Sequence, residues 1–380
     1  MPDVLTRRTM LQSAAAVLAS RVAAAQDRAA FAYVGSFTSA ARYARGDGIH
    51  VYRIDASGRW SHMQHVGDLV NPSMLALSRN QRFLYSVHGD ETYATAFAVD
   101  RQHGTLTQLN RAETGGRNGV HLAIDAAGRY LVAANYGSGS VSVLPIREDG
   151  SLEDAKQVVA LPGQPGPHRV EQASSHPHHV VFDPSGKYVV VPDKGLDRVF
   201  VFVFDAASGK LTPTAQGAAV ARSGSGPRHA AFHPKLPVLW VINEIASTVA
   251  TYYWEAERGH LRAAQILPAV PADYTGENTS AEIVVSGDGR AVYCSNRGHD
   301  SVAVFAADGA TGLLRPVEWV SSEGRTPRFI AFDPSRQFLY AANEQSDDIV
   351  PFRVNAATGT LTRAGDPVQN ASPAAITFAR

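Results

Sequence analysis

One short stretch of the chain concentrates imidazole groups. Residues 174–186 read SSHPHHVVFDPSG and place three histidines within four positions. Histidine moves protons near neutral pH and ligates transition metals, so the stretch allows either acid–base catalysis or a metal site. Alternate side chains of an extended chain share a face, which predicts His176 and His178 on one side and His179 on the other. Two imidazoles do not complete a metal site and no further ligand is obvious, so we predict no metal here.

The sequence lacks the short motifs that anchor other routes to hydrolysis. It has no G-x-S-x-G elbow, no H-E-x-x-H motif and no P-loop, and its glycine-rich runs are typical of loops. Cys294 is the single cysteine, so the chain forms no internal disulfide and offers no cysteine-rich metal site. We predict that Cys294 is buried in a strand, and we expect no cofactor.

Composition limits the class of partner. The 380 residues are 18% charged and 44% apolar, with a formal net charge of zero. A nucleic-acid-binding protein needs a basic surplus to neutralise phosphates, so this balance argues against a nucleic-acid partner. We expect a small-molecule partner, and a monomer or a weak dimer.

The N-terminus has the pattern of an export signal. Arg7 and Arg8 precede a short apolar run, and small residues follow before Gln26. This order of charged, apolar and small residues is typical of a secretory signal, and the arginine pair indicates the twin-arginine type. The apolar run is too short to span a bilayer. We therefore predict a signal peptide over 1–25 and a periplasmic domain over 26–380, the alternative being a disordered cytosolic N-terminus.

The elements that must position the histidines belong to a repeat. A short apolar strand, a turn and a second apolar strand with a polar end recur six times, 47 to 58 residues apart. The turn-opening residues of the six units are Ser78, Asp125, Asp183, His233, Ser286 and Asp333. Repeats of this length with about four short strands each are typical of propeller blades.

The two ends of the chain set the number of blades. Residues 31–67 read as strands two, three and four of a blade, and the C-terminal ASPAAITFAR reads as the first strand of the other units. The sequence therefore predicts an all-β fold, a seven-bladed β-propeller of four-stranded antiparallel blades. The C-terminal strand would close the ring by joining the N-terminal blade, which leaves short protected edges.

Distinctive polar residues fall on one side of this predicted ring. In an antiparallel blade the loop entering the innermost strand and the loop leaving the second strand open at the same mouth. Before innermost strands lie Asn118, His178, Arg228, Glu282 and Arg328. After second strands lie His88, Tyr136, Lys194, Glu244, Arg297 and Glu344. The asymmetry indicates a functional mouth, although such groups can also simply satisfy backbone at strand ends.

Several runs resemble a known family. SHPHHVVFDPSGK, GPRHAAFHP, VINEIASTV and SNRGHDSVAVF are similar to those of the seven-bladed lactonase family, which includes propeller-type 6-phosphogluconolactonases and a fungal carboxy-cis,cis-muconate cyclising enzyme. The resemblance extends over about 31–380. It implies a catalytic site of one histidine, two arginines and one glutamate, which fall on His178, Arg228, Arg297 and Glu244.

These residue types fit the opening of a lactone. Arg228 and Arg297 can bind an anionic group and stabilise an oxyanion, while His178 or Glu244 deprotonates water. The predicted substrate-binding residues are His176, Glu282, Arg328, Glu344, Tyr136 and His88. We expect a lactone hydrolase acting on a sugar-acid lactone such as 6-phosphogluconolactone or gluconolactone, and export argues against a phosphorylated substrate. The alternatives are a muconate-type lactonising cycloisomerase and a non-catalytic ligand-binding propeller.

Overall fold

The computed structural model describes residues 30–55 and 58–380, so the predicted signal peptide lies outside the described residues. The described chain forms seven antiparallel sheets, six of four strands and one with an additional short strand. The described residues contain one helix, a 3-10 turn at Ala40–Arg42. The predicted seven-bladed β-propeller is confirmed. Within the described ranges, no helix is long and apolar enough to cross a membrane.

The strands are numbered in chain order. Blade 1 begins with β1 (Ala30–Ser36), β2 (Ile49–Ile54) and β3 (Trp60–Val66). Blade 2 comprises β4 (Pro72–Leu77), β5 (Phe83–His88), β6 (Tyr93–Val99) and β7 (Leu106–Glu113). Blade 3 comprises β8 (Gly119–Ile124), β9 (Tyr130–Asn135), β10 (Ser140–Pro145) and β11 (Gln157–Ala160). Blade 4 comprises β12 (Val181–Phe182), β13 (Tyr188–Asp193), β14 (Arg198–Asp205) and β15 (Lys210–Val220).

The remaining blades follow the same order. Blade 5 comprises β16 (Pro227–Phe232), β17 (Val238–Asn243), β18 (Thr248–Glu255) and β19 (His260–Pro268). Blade 6 comprises β20 (Thr279–Val285), β21 (Ala291–Arg297), β22 (Ser301–Ala307) and β23 (Leu314–Ser321). Blade 7 comprises β24 (Pro327–Phe332), β25 (Phe338–Asn343), β26 (Asp348–Val354), β27 (Leu361–Arg363) and β28 (Val368–Gln369). The last strand is β29 (Pro373–Ala379).

The ring closes between the two ends of the described chain. Strand β29 pairs with β1 in antiparallel register, from Phe31 opposite Ala379 to Ser36 opposite Pro373. The last strand is thereby the innermost strand of blade 1, as predicted from the sequence. Closure leaves β1 with a partner on each side, and β29 takes the same innermost place that β4 and β8 take in their blades.

The second strand of each blade is buried on both faces by the neighbouring blades. All six residues of β17 are buried, and they read VLWVIN without alternation between polar and apolar side chains. Such continuous apolar runs are expected where a strand is covered on both sides. Trp240 in this strand donates its indole N–H to the carbonyl of Gly312 at 3.0 Å. The packing between blades therefore holds the strand ends, and the polar residues that follow them, in fixed positions.

The repeated turn residues are explained by backbone hydrogen bonding on the side opposite the polar mouth. Asp125 accepts the backbone N–H of Tyr130 at 2.8 Å through Oδ1, and Asp333 accepts that of Phe338 at 3.0 Å. Ser78 performs the same role through its hydroxyl. Short polar side chains close such turns. This part of the repeat is therefore structural.

The innermost strands carry a feature that the sequence pattern did not predict. Near the polar mouth the pairing with the second strand shifts by one residue in six blades, which is a β-bulge. In blade 6 two residues lie opposite Ser295, and in the other five one residue is skipped: Ser73, Val120, Arg228, Arg328 and Ala374. Blade 4 is irregular at the same place, where Pro177 bridges to Asp193 and the N–H of His178 donates to the carbonyl of Pro192 at 3.0 Å.

Candidate active site

The bulges line an open cavity of about 360 Å³ at the polar mouth of the central channel. The bulge residues that line it are Ser73, Val120, Arg228, Arg328 and Ala374, joined by His178 of blade 4. His229 and Phe329, which directly follow two of these residues, line it as well. Consecutive side chains of a regular strand point to opposite faces, so the bulge is what brings both members of each pair to the cavity.

Glu244 is the centre of an ion cluster beside this cavity. It follows β17, and its Oε1 lies 3.0 Å from the Lys194 ammonium. Its Oε2 lies 2.8 Å from Arg228 Nε and 3.2 Å from Arg297 Nη2. The side chains of Lys194, Arg228 and Glu244 are only 4%, 3% and 9% exposed. Three residues of the predicted catalytic set, Glu244, Arg228 and Arg297, are thus in direct contact.

The cations around Glu244 determine its charge. Burial alone would raise the pKa of this carboxyl, but Arg297, Lys194 and Arg228 outweigh burial and hold the pKa well below its usual range. A carboxylate held in this way accepts protons poorly at neutral pH. The sequence left open whether Glu244 or His178 is the base, and this environment favours a positioning role for Glu244.

Arg228 presents a fixed guanidinium to the cavity. Its Nη1 donates to the carbonyl of Ala281 at 2.6 Å. Its Nε is close to Glu244 but is not aligned for a hydrogen bond, so that contact is better described as an ion pair. Burial, followed by the like charge of Arg297, lowers the pKa of Arg228 to about 9. The guanidinium remains cationic at neutral pH, and its position is set before any ligand arrives.

His178 is the first of three buried side chains that contact one another in a row leading away from the cavity. Its Nδ1 lies 3.2 Å from Nε2 of His229. The Nδ1 of His229 lies 2.9 Å from Oε1 of Glu282. The row therefore runs from the Glu282 carboxylate through the His229 imidazole to the His178 imidazole at the cavity. The ring nitrogen of His178 that His229 does not occupy is Nε2.

The pKa values of these three side chains are shifted from their usual values. Burial and then Arg228 lower the pKa of His178 well below its usual value, and the same two causes act on His229. Burial raises the pKa of Glu282 to about 7. Its Oε2 is buried without a hydrogen-bond partner among the described residues, which fits a carboxyl that is protonated in part of its population near neutral pH.

His179 and His121 pack against the same row of side chains. The ring centroids of His121 and His179 are 3.9 Å apart, and that of His179 is 4.5 Å from His229. His176 and His178 both contact Tyr136, whereas His179 packs against His121 and His229 and does not line the cavity. His229 was not predicted as a site residue, and it reaches the cavity because of the bulge at Arg228.

Two of the predicted substrate-binding residues form a wall beside His178. The ring of Tyr136 stacks on that of His176 with centroids 4.3 Å apart and planes 9° apart. Tyr136 also meets His178 edge-on at 5.6 Å. Nδ1 of His176 lies 3.0 Å from the carbonyl oxygen of Tyr136. This packing restricts the orientation of the His178 ring.

Arg328 and Glu344 lie on the other side of the cavity. Arg328 Nη1 is 3.4 Å from Glu344 Oε2, and its guanidinium lies over the ring of Phe37 at 4.7 Å. A contact of that length leaves most of the five guanidinium donors available to a ligand. Phe37 and Arg42 also line the cavity, and neither residue was predicted from the sequence. Both follow β1, at the same mouth position where other blades carry the polar residues that were named.

Two predicted substrate-binding residues lie away from the cavity surface. His88 is fully buried, with Nδ1 2.7 Å from the carbonyl of Val70 and Nε2 2.8 Å from the Thr95 hydroxyl. Both of its ring nitrogens are occupied by these contacts, so the geometry does not support a contact with substrate. Glu282 is buried behind His229, so its carboxylate is positioned to act through the imidazoles instead of on a ligand directly.

A propeller that gathers imidazole, guanidinium and carboxylate groups at one mouth of its channel has the form of a small-molecule enzyme, and comparisons with known proteins identify the family. A family model described as lactonase, 7-bladed beta-propeller, matches residues 31–378. The 6-phosphogluconolactonase of Bacillus subtilis is 35% identical over 349 residues, which cover 91% of this chain and 97% of that protein. The 6-phosphogluconolactonase of Formosa agariphila is 32% identical over 345 residues, covering 87% and 94%.

A solved structure agrees with these sequence matches. The periplasmic gluconolactonase of Pseudomonas aeruginosa superposes with a TM-score of 0.86 at 32% identity, covering 93% of this chain and 99% of that one. The chain belongs to the seven-bladed β-propeller lactonase family. The family, the fold class and the class of enzyme, a lactone hydrolase, are as predicted from the sequence.

The ion cluster around Glu244 is expected to contribute to the stability of the fold. Replacing Glu244 with glutamine would leave Lys194, Arg228 and Arg297 close together without their shared counter-charge, so we expect a loss of about 3–5 kcal/mol in the free energy of unfolding. Urea denaturation followed by circular dichroism measures it. The control is Glu153→Gln, because Glu153 forms an exposed pair with Arg147 at 3.2 Å and its loss should change little. Equal stabilities of the two variants would contradict the assigned role.

Proposed function

We propose that the protein hydrolyses the lactone of a sugar acid at the cavity lined by His178, Arg228 and Arg328. The observation that carries the proposal is the series of contacts from Glu282 through His229 to His178, which ends on a cavity that is also lined by Arg42, Arg228 and Arg328. Lactone opening requires a base for water and donors for a developing oxyanion, and this cavity supplies both kinds of group. Membership of the lactonase family supports the same reaction.

In the proposed first step, Nε2 of His178 takes a proton from water as the water oxygen attacks the lactone carbonyl carbon. For Nε2 to carry a lone pair, the proton of His178 must be on Nδ1, where it is donated to His229 Nε2. His229 then carries its own proton on Nδ1 and donates it to the ionised carboxylate of Glu282. The ionised carboxylate thus fixes both tautomers and stabilises the positive charge that forms on the imidazoles.

In the second step the tetrahedral intermediate collapses and the ring C–O bond breaks. The proton on His178 Nε2 passes to the departing alkoxide, which becomes the new hydroxyl group of the hydroxy acid. Arg228 donates to the carbonyl oxygen while it carries negative charge, and Glu244 holds that guanidinium in place. Arg328 and Arg42 are proposed to hold the polar or anionic end of the substrate, at the side of the cavity that Phe37 lines.

We also propose that the protein acts in the periplasm on an unphosphorylated lactone. The twin-arginine pattern at Arg7 and Arg8 supports export, and a similar solved structure is that of a periplasmic gluconolactonase. The expected result is periplasmic protein whose mature N-terminus lies near Gln26, read by mass spectrometry. Replacing Arg7 and Arg8 with lysine should retain the protein in the cytoplasm in uncleaved form, and unchanged export of that variant would contradict a twin-arginine signal.

A pH-stat assay of the purified mature protein tests the reaction. It should compare glucono-δ-lactone, its 6-phosphate and a muconolactone, each corrected for spontaneous hydrolysis. Faster turnover of glucono-δ-lactone supports the proposal, and preference for the 6-phosphate would overturn the part that concerns phosphorylation. Conversion of the open-chain muconate, added as a fourth substrate, to its lactone would favour the cycloisomerase. Binding of these compounds without turnover would favour a ligand-binding propeller.

A further inference from the structure

A second group of histidines lies on blade 1, on outer strands that the proposed reaction does not use. Asp47 lies two residues before β2, His50 is in β2, and His62 and His65 are in β3. His50 is directly opposite His65 in the antiparallel register, and the two rings stack with centroids 4.8 Å apart. Side chains opposite each other in this way project from the same face of the sheet.

The ligand atoms of this group converge on one point. Asp47 Oδ1 lies 2.7 Å from His50 Nε2, and Asp47 Oδ2 lies 3.4 Å from His65 Nε2. His65 Nε2 is also 3.0 Å from the backbone carbonyl oxygen of Asp47. The potential ligand atoms of Asp47, His50 and His65 all lie within 4.8 Å of one another. Ligands about 2.0–2.1 Å from a tetrahedral zinc ion are about 3.3–3.4 Å apart, so the widest of these separations must shrink by about 1.5 Å, which rotations of the exposed Asp47 and His65 side chains can supply.

We propose that Asp47, His50 and His65 bind one Zn²⁺ ion on the surface of blade 1, with His62 as a positioning residue. Two imidazoles and one carboxylate form a ligand set that suits zinc and leaves a fourth position to water. The Nδ1 of His50 lies 2.9 Å from Nε2 of His62. This contact would keep the His50 proton on Nδ1 and turn the Nε2 lone pair toward the metal, as outer partners of ligating histidines commonly do.

The exposure of the group suits reversible binding. The side chains of Asp47 and His65 are 59% and 40% exposed, whereas that of His50 is 18% exposed. An ion can therefore enter from solvent while one ligand is already held by packing against Tyr52, whose ring centroid lies 6.3 Å from that of His50. Because the ligands come from β2 with its leading turn and from β3, the ion would join the outer strands of the blade that closes the ring.

The proposal is tested by isothermal titration calorimetry with ZnCl₂ and metal-free mature protein that carries no histidine tag. We expect one equivalent to bind and the melting temperature to rise. His65→Ala should lose this binding, and His62→Ala should weaken it by about 10- to 100-fold. His103→Ala is the matched control, because His103 also faces an aspartate three residues earlier, at 2.7 Å, and should bind zinc as the unmodified protein does.

Each result decides the question. The absence of one-equivalent binding in the unmodified protein overturns the site, and so does full binding by His65→Ala. If His178→Ala abolishes the titration while His65→Ala keeps it, zinc binds at the cavity mouth and the proposal is wrong. Circular dichroism of the metal-free variants verifies that each is folded, so that lost binding reports on lost ligands. The proposal does not depend on the lactonase reaction and stands or falls without it.

Discussion

Replacing His178 with alanine is expected to lower kcat by about 10²- to 10⁴-fold, the usual contribution of a general base. His178 lines the cavity, and its Nδ1 is engaged by His229 at 3.2 Å, which leaves Nε2 for water. The low pKa of His178 keeps the imidazole neutral at neutral pH, which is the form that accepts a proton. The measurement is the initial rate of glucono-δ-lactone hydrolysis in a pH-stat, with KM determined separately.

A large loss of kcat with little change in KM would identify a group that acts in the transition state. His103→Ala serves as the control, because this exposed histidine pairs with Asp100 far from the cavity and its loss should leave kcat unchanged. His178→Gln tests whether a polar side chain without basic function restores activity. Wild-type kcat in a folded His178→Ala variant would remove His178 from the mechanism, and Glu244 would then be the next candidate for the base.

The fold could be predicted because the same turn-closing residue recurs in the repeated sequence of the blades. Asp125, Asp183 and Asp333 each close the same turn by accepting the backbone N–H five residues later, at 2.8–3.0 Å. Since the turn chemistry is local, it leaves a mark in the sequence at each blade. The count of seven followed from the ends, where a lone first strand and a blade without one complete each other. Pairing of β29 with β1 confirmed this count.

The ion cluster could be placed at one mouth for a similar reason. Glu244 follows a second strand, and Arg228 is the second residue of an innermost strand. Strand direction alone puts these two positions on the same side. The sequence could not predict that they touch, because contact depends on how neighbouring blades twist against each other. It also could not show that Glu244 is shared among three cations, and this sharing is what makes it a poor base.

His229 was missed and His88 was misplaced, each for its own physical reason. Regular alternation would place His229 on the face opposite Arg228, and only the bulge brings both to the cavity. A bulge of one residue has no clear sequence signal in strands as short as six residues. His88 occupies a mouth position in the repeat, yet its two ring nitrogens contact the Thr95 hydroxyl and the Val70 carbonyl and do not face the cavity. Position within a repeat predicts location, whereas hydrogen-bond partners determine the role.

Replacing Glu282 with glutamine is expected to lower kcat by about 10²-fold or more without unfolding the protein. The amide has the size of the carboxyl group, but it carries no charge to stabilise the imidazolium pair. If its NH₂ group faces His229, it donates to Nδ1, which moves the proton of His229 to Nε2. That proton then occupies the contact with His178, whose own proton shifts to Nε2, and the base is lost. Large losses of this kind occur where a carboxylate fixes the tautomer of a catalytic histidine.

The pH dependence distinguishes this role from a structural one. Burial raises the pKa of Glu282 to about 7, against the lowering effects of Arg228, His121, Arg328 and the Ile283 N–H. Since the ionised carboxylate is the form that orients the imidazoles, kcat/KM of the unmodified enzyme should rise with pH through about 7. Glu282→Gln cannot ionise, so its residual activity should lack this rise. The exposed Glu153→Gln variant should keep both the rate and the rise. An unchanged profile in Glu282→Gln would show that His178 works without the carboxylate, and would limit the catalytic unit to the cavity surface.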